Sequence, residues 1–155
     1  MHRIAAGFDG IYETHLAVAD LGRSVAFYKD RLGLALAAEF PERGIAFFWV
    51  GSPQAGMLGL WQGVRGPLRT VSHFGFRAPR ARVLSAVSDL RAAGIDPLGF
   101  NGEPVDEPVV LGWMPALSVY FKDPDGHSLE ILHRLDDPAD PAFGVGSWSA
   151  WQRRG

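Results

Sequence analysis

The 155-residue chain contains no cysteine, which excludes disulfides, thiolate metal sites and a cysteine nucleophile. Its formal net charge of −2 gives no electrostatic reason to expect a nucleic-acid partner or an acidic membrane surface. No apolar run approaches the roughly 18 residues of a membrane span, and the first residues lack the apolar centre of a secretory signal. We therefore expect a cytoplasmic protein with neither nucleic acid nor a membrane as a partner.

With 47% hydrophobic residues, the chain is able to bury a core as one domain or as two small subdomains. The predicted elements follow the order strand, helix, strand, strand, strand, and this order occurs twice. Asp20 is a predicted N-cap for the first helix, which we expect to run to about Leu32 before Gly33. The second helix is predicted between Pro79 and Gly94. The predicted strands are 12–18, 36–40, 45–50 and 57–61 in the first copy, and 71–76, 97–100, 117–121 and 129–132 in the second.

A repeated unit of this size is too small for a good core by itself, so the two copies are expected to fold together. We predict a first βαβββ module at 12–62, a second at 70–134 and a C-terminal tail at 135–155. The tail carries Trp148 and Trp151, which favours docking on its own domain or on a partner subunit.

The most specific stretch is Tyr120-Phe-Lys-Asp-Pro-Asp-Gly-His-Ser-Leu-Glu130, which predicts two strands joined by a tight turn. Pro124 and Gly126 have the backbone preferences that such a turn requires. His127 is predicted to face solvent within this turn. Glu130 lies between apolar neighbours, where a carboxylate is costly to bury unless it is paired or bound to a metal.

Three residues are the candidate metal ligands: His15 and His73, on the first strand of each copy, and Glu130. Two imidazoles and one carboxylate can hold Fe(II), Mn(II), Ni(II) or Zn(II) and leave positions open for substrate and water. The alternative is that all three are unrelated structural residues. The matching places of the two histidines in the repeat favour the metal site.

These motifs resemble the vicinal-oxygen-chelate superfamily, which includes glyoxalase I, extradiol dioxygenases, fosfomycin-resistance transferases and bleomycin-resistance proteins. The resemblance covers roughly residues 12–133. It is carried by His15-Leu-Ala-Val, by the helix end Ala26-Phe-Tyr-Lys-Asp-Arg-Leu-Gly33, by His73-Phe-Gly-Phe76 and by the stretch that ends at Glu130.

The resemblance implies an α+β fold of two pseudo-symmetric βαβββ modules, which form a curved mixed sheet around a metal-binding cleft. It also implies a homodimer and places the metal on His15, His73 and Glu130. Tyr120 is the candidate catalytic residue, since a tyrosine beside a metal can hydrogen-bond or protonate a bound oxygen. Gly59 occupies the place where glyoxalase I enzymes generally carry a fourth, glutamate ligand, which counts against true glyoxalase I activity.

We therefore expect a metal-dependent enzyme that chelates two neighbouring oxygens of a small substrate. Its chemistry would resemble either an extradiol dioxygenase or a lyase or thiol transferase. The alternative is a non-catalytic protein of the bleomycin-resistance type that binds a small molecule without turnover. The predicted loops at 41–45, 51–56 and 101–115 would determine substrate selectivity.

Overall fold

The computed structural model describes residues 10–63 and 71–154, which belong to two compact units, Met1–Thr70 and Val71–Gly155. Thr70 and Gly155, where the predicted second module begins and the predicted tail stops, lie outside the described residues. The chain is an α+β protein with two mixed sheets and few helices, as predicted. Each unit is described by itself below.

Unit 1 is a βαβββ module with a four-stranded sheet in the order β1-β4-β3-β2. Its first and last strands are parallel, whereas the remaining neighbours are antiparallel. Phe48, Leu58 and Leu60 are fully buried on this sheet. Its elements are β1 (Glu13–Val18), α1 (Leu21–Ala26) with a π-helical turn (Phe27–Arg31), β2 (Ala35–Phe40), a short 3₁₀ turn (Pro41–Arg43), β3 (Ile45–Trp49) and β4 (Met57–Gln62).

The first helix begins where the sequence predicts, because the Asp20 side chain accepts a hydrogen bond from the Arg23 backbone N–H at 2.8 Å. Its last part differs from the prediction. The Leu32 N–H donates to the Phe27 carbonyl, five residues earlier, so this part is a π-helical turn. Gly33 follows with a φ of 76°, the conformation expected of a glycine that ends a helix.

Unit 2 repeats the βαβββ order and adds a fifth strand, giving the sheet order β5-β8-β7-β6-β9. Strands β5 and β8 are parallel, as β1 and β4 are in unit 1. Its elements are β5 (His73–Arg77), α2 (Arg80–Ala92), β6 (Val109–Leu111), β7 (Ala116–Lys122), β8 (Ser128–Arg134), a 3₁₀ turn (Pro141–Phe143), β9 (Val145–Ser147) and α3 (Trp148–Gln152).

The second strand of unit 2 is not where the sequence predicts it. In the predicted strand at 97–100, only Leu98 forms isolated bridges, to Pro104 and Tyr120. The second strand is Val109–Leu111, inside a stretch whose proline, glycine and acidic residues predict a loop. Its three residues are buried, and the strand pairs with β7 on one edge and with β9 on the other.

The tail docks on unit 2 itself. Strand β9 pairs antiparallel with β6, and Trp151 of α3 is 3% exposed with its ring against Phe143. Glu107 binds the start of α3, since it accepts from the Ser149 N–H at 3.0 Å and from the Ser149 hydroxyl at 2.6 Å. The prediction that the tryptophans dock is therefore correct for Trp151. None of the described helices is long and apolar enough to span a membrane.

Candidate metal site

The two candidate ligands of unit 2 lie together on adjacent parallel strands. His73 begins β5, and Glu130 is the third residue of β8, opposite Gly75. The Nε2 atom of His73 is 3.4 Å from Oε2 of Glu130. A Cβ atom on Gly75 would clash first with the Leu132 side chain and would also lie 3.3 Å from the same carboxylate oxygen, so the glycine leaves space for both residues of β8. Strand pairing thus places an imidazole and a carboxylate side by side.

A hydrogen bond at Nδ1 of His73 determines that the other ring nitrogen, Nε2, faces Glu130 as an acceptor. Nδ1 of His73 is 3.0 Å from the Ser128 carbonyl oxygen, which can only accept, so Nδ1 donates its proton there. In the neutral ring, Nε2 then presents a lone pair to a carboxylate oxygen. A cation or a proton between these two atoms satisfies both of them.

Glu130 carries a second sign that a group is needed here. The residue is 5% exposed, and its Oε1 atom has no hydrogen-bond partner among the described residues. An unpartnered buried carboxylate oxygen costs free energy that a bound cation would recover. The donor set of a hard oxygen and an imidazole nitrogen therefore fits a divalent metal of the first transition row.

Tyr120, the candidate catalytic residue, is the strand neighbour of Glu130 on β7. Its ring centroid is 6.0 Å from that of His73, and the residue is 7% exposed. Burial, the negative charge of Glu130 and a side-chain hydrogen bond with Glu130 raise the pKa of the Tyr120 hydroxyl above its usual value. The group therefore stays protonated at neutral pH, where it acts as a hydrogen-bond donor.

His127 does not face solvent, contrary to the prediction. It is 1% exposed, and its Nδ1 atom accepts a hydrogen bond from the Ser72 backbone N–H at 2.9 Å. The turn that holds it is closed by Asp123, whose side chain accepts from the backbone N–H groups of Asp125 and His127. Because Ser72 directly precedes His73, the buried imidazole ties the β7–β8 turn to the strand that carries a candidate ligand.

In unit 1, the third candidate ligand has both ring nitrogens engaged. Nδ1 of His15 accepts a hydrogen bond from the indole N–H of Trp61, and Nε2 lies 3.2 Å from Oε1 of Glu13. The ring packs over Gly59 of β4, where an added Cβ would be 2.5 Å from Nδ1. The His15 ring thus fills the space beside Gly59. A carboxylate side chain at position 59 would clash with this ring.

The strand register shows that His15 and His73 do not occupy equivalent positions in the two units. This differs from the prediction made from the sequence repeat. Met57 and Ser128 begin the two final strands, and their partners are Glu13 and His73 respectively. His15 lies two residues further along, opposite Gly59. Among the described residues of either unit, no three His, Cys, Asp or Glu side chains are grouped to hold a metal ion.

Unit 1 also has an open pocket of about 430 Å³ beside this histidine. Trp61, which is 42% exposed, forms one wall together with His15, Leu16 and Ala17. Phe47 contacts the edge of the imidazole, with ring centroids 5.9 Å apart. The pocket therefore combines an aromatic surface with a hydrogen-bonded imidazole, as small-molecule sites commonly do.

Comparison with protein families supplies the wider context. The model of the Glyoxalase/Bleomycin resistance protein/Dioxygenase superfamily matches residues 10–131. The chain belongs to this superfamily. The match covers the first βαβββ module and the second as far as Ile131 of β8. A search of curated proteins gave no match.

Several solved structures of the superfamily's fold resemble the chain. An integron cassette protein from the mobile metagenome of the Halifax Harbour sewage outfall is 31% identical, with a TM-score of 0.70 over 81% of this chain and 98% of that one. A lactoylglutathione lyase from Agrobacterium tumefaciens is 28% identical, with a TM-score of 0.61 over 81% and 94%. The oxidase ChaP-H1 is 25% identical, with a TM-score of 0.62 over 83% and 98%. A lyase and an oxidase thus share this fold.

The structure gives weight to Glu13 and Trp61, which both contact the His15 ring. Alternation along a strand does predict that Glu13 and His15 share a face. The hydrogen bond from Trp61 depends on the register of β1 against β4, which the sequence does not reveal.

Proposed function

We propose that this protein is a metal-dependent enzyme of the superfamily, in which His73 and Glu130 hold a divalent ion. Fe(II), Mn(II), Ni(II) and Zn(II) are the candidate ions, and His15 is the further ligand that the sequence predicts. The observation that carries the proposal is the Glu130 carboxylate, which is buried, unpartnered at Oε1 and 3.4 Å from His73 at Oε2. A divalent ion in this place would supply Lewis-acid chemistry toward two neighbouring oxygens of a small substrate.

The protein's own groups would hold and orient the substrate around that ion. The Ser128 carbonyl holds the His73 ring, so that Nε2 keeps its lone pair toward Glu130. Tyr120 keeps its proton and, in this proposal, would donate a hydrogen bond to a substrate oxygen near Glu130. Phe100, with its ring centroid 6.0 Å from that of Tyr120, adds an apolar surface beside this donor.

The class of reaction follows from the superfamily only in general terms, since its structural neighbours include both a lyase and an oxidase. We propose that the reaction is of the extradiol-dioxygenase or the lyase and thiol-transferase type. In unit 1 the position that aligns with Glu130 is Gly59, which argues against the full ligand set of glyoxalase I.

Metal content of the purified protein tests the proposal. We expect one divalent ion per site in the wild type, with loss of that ion in His73→Ala and in Glu130→Gln. Glu42→Gln, which changes an exposed carboxylate in unit 1, is the matched control and should keep the metal. A wild type with no stoichiometric metal after incubation with each of the four ions would contradict the proposal.

The second candidate is a binding protein without catalysis, which the open aromatic pocket beside Trp61 favours. In that case, Trp61→Ala would abolish binding of an aromatic ligand, whereas Glu130→Gln would leave binding unchanged. Isothermal titration with a panel of aromatic compounds distinguishes the two functions. The homodimer predicted from the resemblance stays a prediction, which sedimentation at micromolar concentration tests.

A further inference from the structure

The start of β5, where His73 lies, is held by a second histidine of unit 2, His127. We propose that His127 is a positioning residue, whose buried ring fixes the backbone just before His73 and thereby holds the His73 ring beside Glu130. This inference rests on the proposed function, because it concerns a ligand of the proposed metal. The hydrogen bonds that support it all lie within unit 2.

Ser72, the residue before His73, is bound through both of its backbone polar groups by two consecutive residues. Its N–H donates to Nδ1 of His127 at 2.9 Å, and its carbonyl accepts from the Ser128 N–H at 2.8 Å. The Ser128 carbonyl in turn accepts the hydrogen bond from Nδ1 of His73 at 3.0 Å. His127 and Ser128 together therefore set the backbone position of His73 and the orientation of its ring.

Strand β5 depends on these contacts because it is short and has a single strand partner in its sheet. It has five residues, and β8 alone pairs with it among the described residues of unit 2. A shift of one residue in this pairing would turn His73 to the opposite face of the sheet, away from Glu130. Backbone hydrogen bonds can form again in a shifted register, whereas the bond to the His127 ring selects the N–H of one residue.

The His127 ring is well supported for this role. The residue is 1% exposed. The Asp123 side chain accepts from its backbone N–H at 2.9 Å, and the Asp123 N–H donates to its carbonyl at 3.3 Å. A buried ring on a closed turn has few alternative positions, so it transmits the position of β8 to Ser72.

The far end of the same strand pair provides a natural control. Nδ1 of His133 lies 3.0 Å from the Ala78 carbonyl oxygen, to which it donates. Each of the two histidines thus binds a backbone group 55 positions earlier in the chain, one before β5 and one after it. Ala78 lies five residues beyond His73, about 16 Å along an extended strand, so His133 secures the strand pair far from the candidate ligand.

Three substitutions of His127 separate a positioning role from a general loss of stability. His127→Leu removes the acceptor. In His127→Asn, Oδ1 is as many bonds from Cα as Nδ1 of histidine, so it can accept from the Ser72 N–H, whereas Oε1 in His127→Gln lies one bond further out. His133→Leu is the matched control, because it removes a comparable hydrogen bond at the other end of β5. Urea unfolding checks that each variant is folded.

The first measurement is the tautomer of the His73 ring in the metal-free protein, read from its ¹⁵N shifts and long-range couplings at pH 8. The signals are assigned by their absence in His73→Ala. We expect the wild type, His127→Asn and His133→Leu to carry the His73 proton on Nδ1. In His127→Leu and His127→Gln, the bond to Ser128 is no longer held, so we expect a mixture of the two tautomers.

The second measurement is the affinity for Mn(II), from the electron paramagnetic resonance signal of the free ion. His127→Leu should weaken binding by about tenfold or more, as the loss of an outer hydrogen-bond partner does. His127→Asn and His133→Leu should bind nearly as the wild type does. Recovery by asparagine is the result that a merely structural role of the ring would not give.

The outcomes separate this inference from the proposed function. A wild type that binds no metal overturns the proposed function, whereas the His73 tautomer still decides the role of His127. A folded His127→Leu with the wild-type tautomer would overturn the inference, and so would a His127→Asn that behaves like His127→Leu. If His127→Leu does not fold, His127→Gln supplies the same comparison. A His133→Leu that disturbs His73 equally would also overturn it, since a general loosening of the sheet would then be the cause.

Discussion

The two units use the same pair of parallel strands to hold an imidazole and a carboxylate, but they distribute the two groups differently. In unit 2, His73 comes from β5 and Glu130 from β8, with Gly75 opposite the carboxylate. In unit 1, β1 supplies both Glu13 and His15, with Gly59 opposite the imidazole. Only one of the two facing positions carries a large side chain in each unit. A glycine on one strand therefore indicates that the other strand fills the space.

The units also differ in how the outermost strand is covered. In unit 2 the outermost strand of the βαβββ module, β6, pairs with β9 of the tail. In unit 1 the outermost strand, β2, has only β3 as a partner among the described residues. The unpaired edge of a strand is able to accept another strand. The tail therefore gives unit 2 a protected edge that the described part of unit 1 lacks.

The largest effect is expected from a substitution of Glu130, the residue of unit 2 whose counterpart in unit 1 is Gly59. Glu130→Leu removes a buried carboxylate whose Oε1 atom is unpartnered, so the metal-free protein should gain about 1–3 kcal/mol in free energy of unfolding. The same variant should lose all stabilisation by metal. Urea unfolding at pH 8, with and without Mn(II), measures both quantities. A metal-free variant less stable than wild type would show that Glu130 is already well paired.

A smaller effect is expected at Gly59. In Gly59→Ala the new Cβ would meet the His15 ring, so the ring must move away from Trp61 at a cost of about 1–2 kcal/mol. Thermal unfolding measures the loss, and the His15 ¹⁵N shifts report the broken hydrogen bond. The double variant Gly59→Ala with His15→Ala should recover most of the stability. Equal losses in the single and double variants would contradict the steric explanation.

The smallest effect concerns the docked tail and depends on pH. Hydrogen bonds from Ser149 lower the pKa of the Glu107 carboxyl below its usual value. Because the pKa is lower in the folded state, Glu107 stabilises the protein above about pH 4.5. That contribution is lost as the pH falls through the folded-state pKa. Thermal unfolding between pH 6 and pH 3 should therefore show a smaller acid loss in Glu107→Gln than in the wild type, and identical profiles would refute this role.

Much of the fold follows from local signals in the sequence. The Asp20 cap, Gly33 and the turn at 123–126 are set by residues within a few positions, so they were predictable. Strand Val109–Leu111 was not, because its residues lie among prolines and acids, and its formation depends on β7 and β9. The repeat of two βαβββ modules followed from element order alone.

The site was predictable in part. The sequence analysis named His73 and Glu130 as candidate ligands, and the structure places them on adjacent strands, with Nε2 and Oε2 3.4 Å apart. The supposed equivalence of His15 and His73 was not reliable, because a shift of two residues leaves a side chain on the same face of a strand. The burial of His127 was also unpredictable, since it depends on contact with Ser72, 55 positions earlier.

The parallel pairing that joins His73 and Glu130 has a consequence for unfolding. His73 pairs with Ser128, 55 positions later, so β5 and β8 close one of the longest loops in unit 2. Contacts of such long range are slow to form during folding. An ion held by His73 and Glu130 would act as a removable cross-link over this closure and slow the separation of the two strands. Glu13 and His15 share one strand, so together they form no such cross-link within unit 1.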